Sequence, residues 1–147
     1  MKHILIATDL SPDALRPLAM VADLARSWGA RVTLLNVVQD LVIAPHGALL
    51  APPISSPDLP QMMAAASQAM EKTSEEWLDG IEVQHDVVIG ERIPTAISSY
   101  AAEHDVDLIA LSTHGRTGWR HLALGSVAEA VLRHSNVPVI TFPRKSD

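Results

Sequence analysis

Five short apolar runs alternate along the chain with longer segments whose apolar residues recur at helical spacing. Ile4-Leu5-Ile6-Ala7 is apolar without alternation, the pattern of a strand buried on both faces. Ser11-Pro12 follows, a serine suited to a helix N-cap and a proline suited to a first turn. Leu15, Leu18, Ala19, Ala22 and Ala25 continue at helical spacing, Pro17 interrupts or delays the regular part, and Gly29 offers a stop. Val32 to Val38 is a second strand. Residues 39 to 57 carry Pro45, Gly47, Pro52, Pro53 and Pro57 and predict an irregular connection, of a length that is often functional.

From about 58 to 79 the period is helical again, with Leu59, Met63, Ala66, Met70, Thr73 and Trp77 near one face and Gly80 at the end. The methionines read as core packing rather than as a cofactor-contacting stripe. Ile81 to Ile89 predicts a third strand, broken by Gly90, and Ile93, Ile97, Tyr100 and Ala101 mark a third helix. Leu108 to Leu111 is a fourth strand, apolar throughout. A glycine-bearing loop over 112 to 125 leads into a helix from Ser126 to His134, with Val127, Val131 and Leu132 inward. Val137 to Phe142 is the last strand, and Pro138 near its start favours an edge position.

This order is βαβαβαβαβ, and parallel strands need crossovers of the kind the helices supply. The expectation is an α/β fold: an open, doubly wound, five-stranded parallel sheet in order 3-2-1-4-5, helices on both faces. Such sheets take ligands beyond the carboxyl ends of their strands, where the strand order reverses. Two stretches fall there: Ala7 to Ser11, and Leu111 to Ser126.

Length and composition narrow the function. At 147 residues the chain suits one domain spanning 1–147. Aromatics are 3 %, too few for a base-stacking platform, and the net charge of −6 argues against a nucleic-acid or anionic-membrane partner. There is no cysteine, which excludes disulfides, thiolate catalysis and cysteine zinc sites. The apolar run at the N-terminus is too short for a signal peptide, and no run reaches the roughly 20 apolar residues of a membrane span. A cytoplasmic protein is expected.

The switch-point stretches hold the distinctive chemistry. From Leu108 to Ala128 there is no acidic residue, while Arg116 and Arg120 are present, a local reversal of sign in an acidic chain. Glycines allow close backbone approach, and a helix start offers free N–H groups to an anion. Ser126 can add a hydroxyl. The same loop can equally be a plain chain reversal, with Ser126 as a cap. Asp9 has two readings: a carboxylate for ribose hydroxyls, an adenine amino group or magnesium, or a turn-forming cap shared with Ser11. His114 and His121 lack a third ligand candidate and read as polar loop residues. The chain has no GxxxxGK motif, no GxGxxG after the first strand and no GxSxG elbow, and no catalytic set is legible, so binding is better supported than catalysis.

These stretches together resemble the universal stress protein family: Ile-Leu-Ile-Ala-Thr-Asp-Leu-Ser over 4–11, Val-Thr-Leu-Leu-Asn-Val-Val over 32–38, and Ser112 to Val139. Within the last, Ser-Thr-His-Gly-Arg-Thr-Gly, Leu-Gly-Ser-Val-Ala-Glu and Val-Leu-Arg-His-Ser-Asn-Val-Pro-Val are the most specific. The resemblance covers essentially the whole chain and is weakest between 39 and 80. It implies an adenine-nucleotide alpha-hydrolase-like fold and, commonly, a homodimer through the last strand. ATP-binding members carry G-x2-G-x9-G followed by Ser or Thr. Gly125-Ser126 and Gly115 match that pattern, but its first glycine falls on Ser112. A serine permits close approach yet would be strained at positive φ.

The resemblance carries a nucleotide-binding role to Ala7, Thr8 and Asp9, to Val37 on an adenine wall, to Leu111 and Ser112, and to Gly115, Gly125, Ser126 and Val127 around phosphates. Arg116 joins them on grounds of charge. The implied function is a stress-response protein that binds ATP with Mg2+ and serves as a homodimeric sensor or adaptor for a protein partner. The alternatives are a dimeric interaction protein with no nucleotide role, and a slow ATPase.

Overall fold

The computed structural model describes residues 1–40, 58–113 and 124–143. Its elements run β1 (His3–Ala7), α1 (Pro17–Trp28), β2 (Arg31–Gln39), α2 (Leu59–Trp77), β3 (Val83–Gly90), α3 (Ile93–Glu103), β4 (Leu108–Ser112), α4 (Ser126–His134) and β5 (Val139–Phe142). The sheet is five-stranded in the order β3-β2-β1-β4-β5, all pairs parallel, as the sequence predicts.

The strand periodicity of two divides the core into two layers. Ile4, Ile6, Val32, Leu34, Leu108 and Ala110 face α1 and α2, meeting Leu18, Val21, Ala22, Ala25 and Met70. Leu5, Leu35, Ile109 and Leu111 face α3 and α4, meeting Ile97, Tyr100, Ala101, Ala128 and Val131. Every residue of β1 is buried, which accounts for its lack of alternation.

Four expectations need correction. Helix α1 begins at Pro17, not at Ser11-Pro12, so of the two effects expected of Pro17 it is the delay that occurs. Proline has no N–H, so a helical bond from residue 17 back to Asp13 cannot form. Residues 11–16 instead make turns, with Leu15 N–H donating to Ser11 C=O at 3.2 Å and Arg16 N–H to Asp13 C=O at 3.4 Å. Trp77 is 40 % exposed rather than inward, and Leu78, just past the helix, takes the buried position. Leu132 is 43 % exposed, because the buried stripe of α4 is only Ala128 and Val131. Strand β5 starts at Val139, one residue after Pro138, whose carbonyl accepts the Ile109 N–H at 2.9 Å. The connection over 39–57 lies outside the described residues from 41 onward.

Gly90 marks a close approach. A Cβ there would sit 2.9 Å from Ala96 Cβ and 3.3 Å from Val37 Cγ1, so only a glycine lets α3 start so near the sheet. Gly29 closes α1 in the left-handed conformation, φ +59°.

Candidate functional site

The carboxyl ends of β1 and β4 lie side by side, with Ala7 opposite Leu111. Thr8 and Asp9 therefore leave the sheet beside Ser112 and Thr113. The Thr8 N–H donates to Leu35 C=O at 2.9 Å, and its carbonyl accepts from Asn36 Nδ2 at 2.8 Å. Its hydroxyl accepts the Leu10 N–H at 3.0 Å. Asp9 Oδ1 accepts the Ser11 N–H at 3.0 Å, and Ser11 Oγ accepts the Ala14 N–H at 3.3 Å. Asp9 thus does form the turn, and Ser11 shares that work. Leu10 is held at φ +63°, at a cost of roughly 1–2 kcal/mol for an L-residue. Its side chain packs against the α1–α2 core layer, one compensation for that cost.

Ser112 is the last residue of β4, half-buried and paired with Phe142. Its φ is not positive, so the serine at the motif's first glycine position carries no left-handed strain. Thr113 follows, 4 % exposed; its N–H donates to Phe142 C=O at 3.0 Å and its carbonyl accepts the Gly125 N–H at 2.6 Å. That last bond brings the start of α4 back to the end of β4. Gly125 is the N-cap of α4, in extended conformation (φ −71°, ψ 153°), and has no side chain with which to cap the helix. Ser126 is exposed and Val127 half-buried at the first turn. A helix start directs its first-turn N–H groups and the positive end of its dipole outward, which favours an anion. Val37 is half-buried on β2, in the core layer under α3.

The structure therefore gathers Ala7, Thr8, Asp9, Leu111, Ser112, Gly125, Ser126 and Val127 around the carboxyl ends of β1 and β4, with Val37 on the neighbouring strand. Gly115 and Arg116, with His114, Arg120 and His121, lie outside the described residues. Two grooves lined by described residues lie elsewhere. One, of about 430 Å³, runs between β3 and α3 past Asp86, Tyr100 and His104. The other, of about 320 Å³, lies at the foot of α1 near Arg26, Arg31 and Glu82.

Sequence reasoning missed Asn36, Leu10 and Thr113. For Asn36 a signal existed: apart from Thr33 it is the one polar residue in the run Val32 to Val38.

The family model described as the universal stress protein family matches residues 1–143. The chain belongs to the universal stress protein family. Universal stress protein MJ0531 of Methanocaldococcus jannaschii is 30 % identical over 147 residues, covering 97 % of this chain and 82 % of that protein. The solved structure of the hypothetical protein MJ0577 superposes with a TM-score of 0.80 at 26 % identity, covering 99 % of this chain and 98 % of the other. The universal stress protein from Archaeoglobus fulgidus in complex with dAMP gives a TM-score of 0.62 at 24 % identity, covering 96 % of each chain. The family's sheet order is the one seen here, and the carboxyl ends of β1 and β4 lie at its topological switch point.

Proposed function

We infer that this chain binds an adenine nucleotide, ATP foremost, in the crevice between β1 and β4. The observation that carries the reading is the Gly125–Thr113 bond, which sets the glycine-started first turn of α4 beside the loop bearing Asp9. The first turn of α4 receives phosphate, and the Thr8–Ser11 loop and Val37 receive the nucleoside end. The complex of a similarly folded relative with dAMP supports the class of ligand.

Among the described residues no group of three or more His, Asp or Glu could hold a metal ion. A magnesium ion that keeps its waters and rides on phosphate oxygens, with one protein carboxylate at most, fits this site. Asp9 is the carboxylate in reach of that role.

The protein works as a homodimeric sensor or adaptor, pairing through β5. The two edges of the sheet differ in a way that supports this choice. Edge strand β3 turns the half-buried carboxylate of Asp86 toward α3, a device that discourages further pairing. Edge strand β5, Val-Ile-Thr-Phe, carries no charge. Among the described residues no helix is long and apolar enough to cross a membrane.

Mass spectrometry of the protein as purified, followed by titration with ATP, ADP and AMP in the presence of Mg2+, tests the reading. A co-purifying adenine nucleotide or saturable binding supports it. No binding of any of the three removes it.

A further inference from the structure

The β1–β2 ladder ends at the pair Ala7–Leu35, one residue before Thr8. The Thr8 N–H still reaches the Leu35 carbonyl at 2.9 Å, but its own carbonyl turns to a side chain, Asn36 Nδ2 at 2.8 Å. Opposite a carbonyl oxygen the near atom of that amide must be its nitrogen, because two oxygens would repel. Thr8 is thereby pinned at its N–H, its carbonyl and its hydroxyl, the last of these by the Leu10 N–H. The next residue is Asp9, whose Oδ1 is held by the Ser11 N–H. Leu10, left-handed at φ +63°, would relax if the segment were released. Such conformations persist where the surroundings over-determine them.

We propose that Asn36 is a positioning residue for the nucleotide site: its side-chain amide fixes the Thr8 carbonyl and, through it, the direction of the Asp9 carboxylate. This rests on the nucleotide reading above. Asn36 is half-buried on a strand whose inner stretch, Val32 to Val38, is apolar apart from it and Thr33, and an apolar residue there would leave the Thr8 carbonyl without this donor. The role belongs to a donor at one specific place, three bonds from the Cα. A histidine Nδ1–H occupies the same place; a leucine does not supply it.

The test is a double-mutant cycle on ATP affinity in Mg2+, using the full chain, Asn36→Leu, Asp9→Ala and the pair together, with Asn36→His as the donor-retaining control. Thermal melting confirms that each variant is folded. Asn36→Leu weakens ATP binding about fivefold in the unmodified background and less than about twofold in the Asp9→Ala background. Asn36→His binds within about twofold of the unmodified protein. Should Asn36→Leu not fold, the nearly isosteric Asn36→Asp, which has no donor, takes its place. Binding by the unmodified protein and by Asn36→Leu alike overturns the inference alone. So does an equal loss in both backgrounds, which marks a purely structural role. No binding by the unmodified protein removes the nucleotide reading and the inference with it.

Discussion

The two ends of this sheet spend their polar groups differently. At the carboxyl end, many of the bonds stay within one loop, Thr8 to Leu10, Asp9 to Ser11 and Ser11 to Ala14, with Asn36 reaching in from β2 to the Thr8 carbonyl. At the amino end, side chains from distant elements close on one another. His3 on β1 is 3 % exposed; its Nε2 meets Thr33 Oγ1 at 2.8 Å, and its Nδ1 lies 3.0 Å from the His104 carbonyl and 3.1 Å from the Arg31 guanidinium. On the same face the Tyr100 hydroxyl donates to Asp86, and the Tyr100 ring stacks on His104 at 3.8 Å. Burial, then the bond to Asp86, pushes the Tyr100 phenol well above its usual range. A network satisfied from within stiffens the fold and leaves little for a ligand. A loop tied mostly by short-range bonds, beside the first turn of α4, is ordered and carries short polar side chains at the switch point. The contrast predicts that substitutions at the carboxyl end change binding, and those at the amino end change stability.

The sharpest test lies at the carboxyl end. Gly125 has φ −71° and ψ 153°, which valine adopts readily, so Gly125→Val has no backbone strain to overcome. Its branched side chain enters the space proposed for phosphate. ATP affinity falls at least about tenfold, equivalent to about 1.4 kcal/mol, while the melting temperature moves little. Titration calorimetry paired with a thermal melt checks both halves. Unchanged affinity would place the phosphates elsewhere.

Thr33→Val is the matching change at the other end. Thr33 is fully buried, and valine keeps its shape while removing the hydroxyl that meets His3 Nε2. A buried ring nitrogen left without a partner costs about 1–3 kcal/mol. For a chain of this size each 1 kcal/mol lowers the melting temperature by about 2–4 °C. ATP affinity stays within about twofold. A fall in affinity comparable to that of Gly125→Val would show that the two ends are coupled through β1.

A smaller effect follows from His3 as pH changes. Burial, and next the Arg31 guanidinium, lower its pKa from 6.5; the Asp107 carboxylate and backbone bonds at His104 and Asp105 act the other way. The folded state therefore holds the proton less tightly than the unfolded chain. The stability linked to this group is fully present above pH 6.5 and is lost as pH falls below it. Melting temperature followed from about pH 7 to 5 declines, and His3→Gln, whose amide reaches toward Thr33 but does not titrate, declines less. Parallel curves would assign the decline to other groups.

The sequence foretold more about the carboxyl end than about the amino end, for a physical reason. Strands buried on both faces announce themselves as unbroken apolar runs, and Ile4 to Ala7 and Leu108 to Leu111 were placed to within a residue. The strand order then follows from general rules of crossover and winding, and with it the switch point. The loop chemistry of Asp9 and Ser11 is local, two or three residues in reach, so it is legible as a pattern. The amino-end network joins residues 30 and 101 positions apart and forms no motif. Asn36 escaped for the same reason: its partner is fixed by where the β1–β2 ladder stops, which no periodicity encodes. Trp77 and Leu132 were misplaced because an apolar residue near a helix end can lie at the margin of its buried stripe.

Asp107 should have the smallest effect and is the most useful in breaking the comparison. Its Oδ2 accepts the Lys2 N–H at 2.6 Å and the His3 N–H at 3.1 Å, clamping the foot of β1 from outside. Those two bonds, Lys2 first, hold its carboxyl below its ordinary value of 3.8. The stability it lends is present above pH 3.8 and is lost as pH falls through the lowered value. The carboxylate is exposed to water, so the clamp contributes little beyond its two bonds. Asp107→Asn keeps an acceptor oxygen and removes the charge. Its melting temperature at pH 7 falls by less than that of Thr33→Val, and its acid limb below pH 3.8 is shallower. If instead Asp107→Asn destabilises more than Thr33→Val, the foot of β1 is held by an exposed clamp rather than by the buried network. The buried network would then not be what holds the amino end, and the division of labour between the two ends would fail.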